Sequence, residues 1–589
     1  MVAKDIAAVA QFNGKTLDSA SAPESQMRST VKNLRFVLGL LLAAGCATDS
    51  TSMADTAYVN GQIYTVDEVQ PWVEAVAIKD GVFLVVGSNE AVDAVTGVAT
   101  EVIDLAGAFA MPGLIDVHGF HGMSTENRVD CELKGTFWEP TEEEILSDLR
   151  TCVATYPAEL EWFIAEGFTP VPMSPEGLSM ATLDQIVPDK PAYIVDESGH
   201  NAWANSRAFE MARITADTPD PPGGYFERDA RGALTGRVFE SAMNSFTDIL
   251  PEKDVETAKR GNAKFLRQAT EKGVTSLGNG YNFSRHLQAW QEMKVNDELE
   301  LHIVLYQDGN FGTGDLTPVA ELVARYEDFD LPGPRGVKIG FDGSVESGTS
   351  PMVDGYLDPS VQAELVIEPE VLSAYVAELD QYGFSVKIHA IGDLAVRSAI
   401  DALEPVILAA GGNTNRHHID HNSHVKPEDM DRMAQLGIPA TIWGVLNAPV
   451  SYNLDIVRPM LTEAQWARAY PNRELMDAGV HLANHTDAPQ ANMWPWFGME
   501  ASVTRGYPGK PEVPALGPDQ ALTLEKSIRV HTLNGAWTLR LDDVTGSIVA
   551  GKSADMIVLN HNLFDIPETE IHATQVQRTV FQGEVVFLK

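Results

Sequence analysis

Basic residues and cysteine are the two residue classes in which this 589-residue chain is poor. Lys and Arg number 42 against 83 Asp and Glu, a formal net charge of −41 at pH 7. Because nucleic-acid binding needs a basic face, no nucleic-acid partner is expected. The chain also lacks a Gly-x-Ser-x-Gly elbow, which argues against serine-based hydrolysis, and its Gly-rich segments lack the Lys of a phosphate-binding loop.

A basic stretch followed by a short apolar run occurs near the start of the chain. Arg28, Lys32 and Arg35 precede FVLGLLLAA, and Gly45-Cys46 follows directly. This is the pattern of a secretory signal peptide, and the run is too short to span a membrane as a mature helix. An uncleaved membrane anchor is the alternative interpretation.

The end of this segment, Ala-Ala-Gly-Cys, resembles a bacterial lipobox. It predicts a lipoprotein signal peptide over 27–46, lipidation of Cys46, and export to the cell envelope of a bacterium. The mature protein would face the periplasm, with a lipid anchor as its only membrane attachment. Residues 1–26 are interpreted as an upstream extension from a misplaced start codon, and 47–56 as a polar tether.

Two cysteines remain after the predicted lipidation site. In an oxidising compartment Cys131 and Cys152 can form one disulfide. Their spacing does not decide between a disulfide and two buried thiols.

The arrangement of apolar residues predicts a barrel flanked by sheets. Residues 57–110 and 541–589 alternate apolar and polar positions, which predicts strands that combine into a small composite β-sandwich. Between them, 111–540 alternates strand-like apolar runs with helical patterns, which predicts an α/β fold with a distorted TIM (β/α)₈ barrel. The stretch from about 125 to 250 is rich in Pro, Gly and Trp and predicts an insertion over the barrel mouth.

Five apolar runs spread over most of the predicted barrel carry a residue that could hold a divalent metal. These residues are His118, Lys338, His389, His421 and Asp487. Because the strands of a parallel barrel direct their carboxyl ends to one face, we expect these side chains to converge there. Imidazole nitrogens and carboxylate oxygens are zinc ligands. The pattern predicts one or two bound divalent ions, with zinc expected.

Several segments, taken together and in order, resemble one protein family. They are MPGLIDVHG, DESGHNAWANSRA, DPPGGYFERDARGALTGRVFESA, GVKIGFDGS, IHAIGDLAV, RHHIDH, HTDAP and GSIVAGKSADMIVL. The chain resembles the metal-dependent amidohydrolase superfamily, in the branch called amidohydrolase 3 or YtcJ-like, which includes N-substituted formamide deformylases. The resemblance covers about 57 to 589. It implies a distorted TIM barrel with a composite β-sandwich.

The first predicted barrel strand departs from the family pattern. The family reads Asp-x-His-x-His there, with both histidines on the metal, and Asp116 and His118 match it. Phe120 stands at the second histidine position, and His121 follows one residue later. Either a local bulge turns His121 inward as a ligand, or one ligand is lost.

The resemblance also assigns roles to the other candidates. His389 and His421 would be the second pair of metal histidines, and Asp487 would contact the metal and move a proton between water and the leaving group. Lys338, costly to bury unpaired, would be carboxylated and bridge two ions. The alternative is an ion pair between Lys338 and Asp342 or another nearby carboxylate.

His200 is the second catalytic candidate, within Ser-Gly-His-Asn. It would polarise the substrate carbonyl or donate to a developing oxyanion, unless it makes only structural contacts in the insertion. His485 is interpreted as a residue that lines the pocket.

The predicted reaction is hydrolysis of a small molecule at a C–N bond by metal-activated water. An amide, a cyclic amide or an N-acyl compound would serve as substrate. A deaminase or an ester or lactone hydrolase would use the same site. A binding lipoprotein that has lost its metal is the alternative from another class, which Phe120 supports. A homodimer is one expectation for the assembly.

Aromatic residues in the insertion bear on the substrate. They are Trp162, Phe168, Trp203, Tyr225 and Phe226. They favour an apolar or aromatic substrate, or else they form a small core of the insertion itself.

Overall fold

The computed structural model describes most of the chain from residue 53 onward. The described residues are 53–120, 131, 133, 135, 140–170, 173–197, 199, 201–221, 224–251, 253–310, 314–488 and 494–589. Cys46, His121 and His200 lie outside them, so the predictions made for these three residues and for the signal peptide stay predictions. Within these ranges, no helix combines the length and apolarity needed to cross a membrane.

Eight parallel strands form the central sheet. They are β1 (Leu114–Gly119), β2 (Val274–Asn282), β3 (His302–Asp308), β4 (Gly336–Gly340), β5 (Ser385–Ala390), β6 (His418–His421), β7 (Ala440–Trp443) and β8 (Leu482–His485). Each strand pairs with the next in chain order. The chain segments just beyond β1 and β8 then join, because the Phe120 N–H donates to the Ala488 carbonyl at 2.8 Å and the Asp487 N–H to the His118 carbonyl at 3.1 Å. The predicted barrel is confirmed.

Helices surround this barrel and connect its strands. The longer ones are Val255–Glu271, Ser284–Val295, Val319–Phe329, Pro369–Gln381, Asp393–Ala410, Pro427–Leu436 and Pro495–Thr504. Shorter helices are Glu463–Trp466, Asn472–Asp477, Leu524–Val530 and Leu533–Thr538. Short 3₁₀ segments are Ser241–Met243, Gly444–Asn447, Arg458–Met460, Pro518–Gln520 and Glu568–Ala573, and Tyr452–Val457 is a π-helical segment.

The alternation of side chains along the barrel strands separates two environments. Val337 and Ile339 of β4 belong to the large apolar core that also contains Leu372 and Val376 of the following helix. Successive residues of a strand point to opposite faces, so Lys338 faces the barrel interior, where it is fully buried. The apolar residues of β4 thus face the helices, and its charged residue faces the barrel interior.

Two further sheets are built from strands near both ends of the described chain. The six-stranded sheet has the order Glu584–Leu588, Val576–Phe581, Met556–Leu559, Phe109–Pro112, Gln62–Tyr64 and Trp72–Val73. The four-stranded sheet has the order Val82–Gly87, Ala75–Lys79, Thr56–Val59 and Glu101–Asp104. Tyr58 and Val76 of the smaller sheet share a buried cluster with Met556 and Val580 of the larger one. Strands from both ends of the described chain therefore pack as one sandwich.

The insertion has its own sheet and core. Its strands, in order, are Gly224–Arg228, Leu234–Glu240, Asn201–Ala204, Ala192–Asp196 and Phe163–Phe168. The helices of this region are Glu142–Thr155, Met180–Ile186, Ser206–Met211 and Asn244–Thr247. A further short helix, Asn89–Asp93, belongs to the sandwich. Cys131 and Cys152 form a disulfide, which decides between the two alternatives for these thiols.

The aromatic residues predicted to favour an aromatic substrate lie mostly in the core of the insertion. Trp162, Phe168, Trp203 and Phe226 are buried within its two apolar clusters. Tyr225 is exposed and stacks on Phe239, with ring centroids 4.4 Å apart. Four of these five aromatic residues therefore form a small core of the insertion, which was the second interpretation.

Candidate metal centre

Three of the predicted ligands converge where the barrel strands end. His118 lies on β1, His421 ends β6, and Asp487 follows β8 by two residues. One nitrogen or oxygen atom from each lies within 4.8 Å of the others, and all three residues are buried. Two imidazoles and one carboxylate form a ligand set suited to a divalent ion with one coordination position left open.

Two of these residues have unusual backbone conformations. His421 has φ 73° and Asp487 has φ 56°, in the left-handed region that residues with a Cβ rarely adopt. Such conformations cost about 1–3 kcal/mol each and persist where the surrounding structure holds them. The hydrogen bond from the Asp487 N–H to the His118 carbonyl, 3.1 Å long, holds one of them. Two of the three converging residues therefore have strained backbones.

The histidines of the cluster are neutral and offer free nitrogens. Burial lowers the pKa of His118 and of His421 well below the usual value for histidine, and the charges of nearby lysines or histidines add to this effect. Burial also lowers the pKa of the neighbouring His485 to about 3. Neither ring nitrogen of His421 or His485 has a hydrogen-bond partner within the described part of the chain. Buried polar atoms are normally paired, and neutral imidazole is the form that binds metals. The residues present therefore fit a metal ion.

The described surroundings of the cluster's carboxyl group favour its uncharged form. Asp487 Oδ1 lies 3.2 Å from His118 Nε2, but that histidine is neutral. Burial raises the pKa of Asp487 to about 8, Lys338 opposes the rise, and the negative charge of Asp420 adds to it. A divalent cation would stabilise the ionised carboxylate, which is a second reason why this cluster fits a metal.

His389 lies beside this group rather than within it. Its ring centroid is 4.4 Å from that of His421, so it lies close to the cluster. Its Nε2 lies 3.1 Å from the Gly343 carbonyl oxygen and 3.5 Å from Asp342 Oδ1. Asp342 also accepts the backbone N–H groups of Ile391 and Gly392 at 3.0–3.2 Å, and so it fixes the loop after β5. The structure therefore places His389 next to the three converging residues, and its role as a metal ligand stays a prediction.

Lys338 forms a buried ion pair. Its ammonium donates to Asp420 Oδ2, and both side chains are fully buried. The other oxygen of Asp420 accepts from the Thr441 hydroxyl at 2.8 Å. Burial opposes ionisation of Asp420, yet Lys338 and its other neighbours hold the pKa of this carboxyl well below its usual value. Lys338 therefore matches the ion-pair alternative, with Asp420 as the partner in place of Asp342.

Sequence reasoning missed two charged residues of the barrel interior. Lys387 on β5 donates to the Val117 carbonyl at 2.5 Å and lies 4.0 Å from the centre of the Tyr306 ring. Burial lowers the pKa of Lys387 to about 7. Lys387 lies two residues before His389, and Asp420 directly precedes His421. Both histidines are predicted ligands in apolar runs. A search for any charge within such runs would have found both.

The departure at Phe120 has a local structural explanation. The Phe120 ring stacks on Tyr281 of β2, with centroids 5.7 Å apart and an interplanar angle of 6°. It also contacts His118 edge to face at 4.8 Å. An aromatic wall thus occupies the position of the family's second histidine.

The fold and the cluster together define a class of proteins, the barrel hydrolases that use a divalent metal. The model of the Amidohydrolase family (Amidohydro_3) matches residues 101–587. The chain belongs to this family, as its motifs predicted. Membership supports a hydrolase that acts on a small-molecule substrate and depends on a metal.

Known relatives span nearly the whole chain. YtcJ of Bacillus subtilis is 26% identical over 90% of this chain and 98% of its own length. The N-substituted formamide deformylase of Arthrobacter pascens is 26% identical over the same shares, 90% and 98%. The structure of an uncharacterised metal-dependent hydrolase from Pyrococcus horikoshii superposes with a TM-score of 0.68 at 24% identity, covering 87% of this chain and 99% of that one. The structural likeness supports the fold.

We predict that metal content depends on the three converging residues. Protein supplied with zinc should carry one or two ions per chain, and His118→Ala or His421→Ala should lose at least one, because each removes a buried ligand. Elemental mass spectrometry measures this. His561→Ala is the matched control, since His561 bonds Thr574 at 2.9 Å away from the barrel. Wild type without metal would contradict the assignment, and His121→Ala tests whether His121 is a further ligand.

We predict that removing one partner of the Lys338–Asp420 ion pair destabilises the metal-free fold much more than replacing both partners with apolar residues. Asp420→Asn should lower the free energy of unfolding by about 3–5 kcal/mol, because it leaves a buried ammonium uncompensated. Lys338→Met combined with Asp420→Leu should recover most of this loss. Denaturant titration measures both, and Asp55→Asn, which removes an exposed partner of Lys79, serves as the surface control. Metal binding that needs added bicarbonate would instead favour a carboxylated Lys338.

Proposed function

We propose that this protein is a metal-dependent hydrolase that cleaves the C–N bond of an amide, a cyclic amide or an N-acyl compound. The observation that carries the proposal is the convergence of His118, His421 and Asp487 at the barrel mouth. Family membership supports hydrolysis. A relative named N-substituted formamide deformylase, similar over 90% of the chain, supports a C–N bond as the target.

The cluster residues would hold the ion, and zinc fits their donor atoms best. A bound divalent ion supplies Lewis-acid polarisation of a carbonyl and lowers the pKa of water toward about 7. His118 and His421 contribute neutral nitrogens, and they stay neutral because they are buried. His389 would take part if a second ion binds.

Asp487 has the position for proton transfer. Its carboxylate is buried at the mouth of the barrel, and its backbone is held by the hydrogen bond to the His118 carbonyl. It would accept a proton from the attacking water and donate it to the amide nitrogen, which leaves as an amine once it is protonated. The same side chain serves as ligand and proton carrier.

We predict that chelation abolishes hydrolysis of N-formyl and N-acetyl amines and that zinc restores it. Asp487→Asn should lower kcat by about 10²–10⁴-fold, because the amide cannot accept the proton. Release of the free amine is the measurement, and His561→Ala should behave as wild type. Activity that survives chelation, or turnover of esters, lactones or amino-heterocycles without any amide cleavage, would contradict the proposal.

The proposal includes export to the bacterial cell envelope as a lipoprotein anchored at Cys46. The Cys131–Cys152 disulfide supports it, because disulfides persist mainly in oxidising compartments. The acidic surface, from a net charge of −41, suits a protein held near a membrane by lipid rather than by basic residues.

We predict that Cys46→Ser releases the protein from the membrane fraction. The variant cannot be acylated, so an acyl-chain label should mark the wild type only, and a single acyl group already adds about 0.8 kcal/mol of membrane affinity per CH₂. Fractionation and labelling measure this, with Cys131→Ser plus Cys152→Ser as the control that keeps Cys46. Label on the Cys46→Ser variant, or unlabelled soluble wild type, would contradict lipidation.

A further inference from the structure

A small cleft lies against His421 of the metal centre. Three aromatic residues, Trp443, Tyr452 and Tyr470, contribute to its walls. Because His421 belongs to the metal-binding cluster, a molecule bound in this cleft would extend directly into the reaction site. The cleft therefore borders the place where a substrate would react.

The aromatic walls pack against one another and against residues around the cleft. Trp443 ends β7 and lies nearly parallel to His485, with ring centroids 6.4 Å apart and an interplanar angle of 23°. The Tyr452 ring is 6.5 Å from that of Trp443 at an angle of 51°. The Tyr470 hydroxyl donates to Asn453 at 2.7 Å. These rings form a preorganised surface that offers π faces and edges to a ligand.

The cleft also carries a negative charge. Glu346, on the loop after β4, lines it and is partly exposed. Its described lining contains no Lys or Arg. Glu346 is thus the charge that a ligand meets among these lining residues.

The charge of Glu346 affects two tyrosine hydroxyls in the walls of the cleft. Burial and then the charge of Glu346 raise the pKa of the Tyr452 hydroxyl and of the Tyr470 hydroxyl. Glu197 of the insertion adds to the effect on Tyr452. Arg505 opposes it at Tyr470, but its guanidinium is bonded to the Leu516 carbonyl and Asn447 at 2.8 and 2.9 Å. Glu346 is therefore the lining carboxylate that acts on both tyrosine hydroxyls.

We propose that this cleft binds a positively charged nitrogen of the substrate, an ammonium or amidinium carried on an apolar or aromatic group, with Glu346 as the specificity-determining residue. A cation is attracted to aromatic faces and to a carboxylate, and both are present here. A substrate with a carboxylate at this end would be repelled. The inference rests on the proposed function, because it concerns the substrate of the same site. It favours N-acyl derivatives of diamines over N-acyl amino acids.

Equilibrium binding tests the cleft without any reaction. Benzylamine, benzyl alcohol and benzoate share one ring and differ in charge, and calorimetry on the zinc-loaded protein compares their affinities. Benzylamine should bind tightest, and Glu346→Gln should weaken it about 10–100-fold, as expected for a charge-assisted hydrogen bond, without affecting benzyl alcohol. Glu327→Gln on an outer helix is the matched control. Equal binding of benzoate, or no effect of Glu346→Gln, would overturn the proposal.

Hydrolysis separates this inference from the proposed function. Two N-formyl arylalkylamines are compared, one with a distal ammonium and one with a hydroxyl in its place. The ammonium compound should have the lower KM, and Glu346→Gln should raise that KM alone while kcat stays unchanged. Glu346-dependent benzylamine binding without hydrolysis of either compound would overturn the proposed function and keep the cleft assignment. Hydrolysis without preference for the ammonium would overturn the cleft assignment and keep the function.

Discussion

The buried ion pair between Lys338 and Asp420 is the interaction on which the rest of the barrel interior depends. Burying an isolated charge costs far more than one apolar contact returns, so charges inside a barrel must neutralise one another. Asp420 accepts from Lys338 and Thr441, and its carboxylate lies 3.7 Å from His118 Nδ1. The pair, with its hydrogen bond to Thr441, therefore links β4, β6 and β7 beneath the converging ligands. Burial and then the charge of Lys338 lower the pKa of His118, and Asp420 opposes them.

At the metal centre, the described residues favour the uncharged form of one ligand. Asp487 is buried beside neutral histidines, and its pKa is raised by burial to about 8. The strained backbones of His421 and Asp487 are the local cost of aiming these side chains inward. Binding a divalent ion would relieve the electrostatic part of this cost, which couples the stability of the barrel mouth to metal binding.

Chemistry and selectivity reside in different parts of the fold. The cluster at the strand ends is compatible with several hydrolytic reactions, so the barrel alone does not determine the substrate. The walls of the cleft come from the loop after β4, which carries Glu346, and from the segment after β7, which carries Tyr452 and Tyr470. These loops can vary without disturbing the ion pair below them, and the substrate class therefore depends on them.

The sequence by itself determined the barrel and three of the six predicted ligands that converge at its mouth. His118, His421 and Asp487 end apolar runs, and a parallel barrel necessarily brings strand ends to one face, so local pattern sufficed. Only the tertiary structure decided that Asp420 is the partner of Lys338, that Cys131 pairs with Cys152, and that the cleft is formed by Trp443, Tyr452 and Glu346 rather than by aromatics of the insertion. Such contacts join residues far apart in the chain, and no periodicity or spacing encodes which distant side chains meet. Ion pairing, disulfide geometry and cavity shape depend on distances that exist only after the chain has folded.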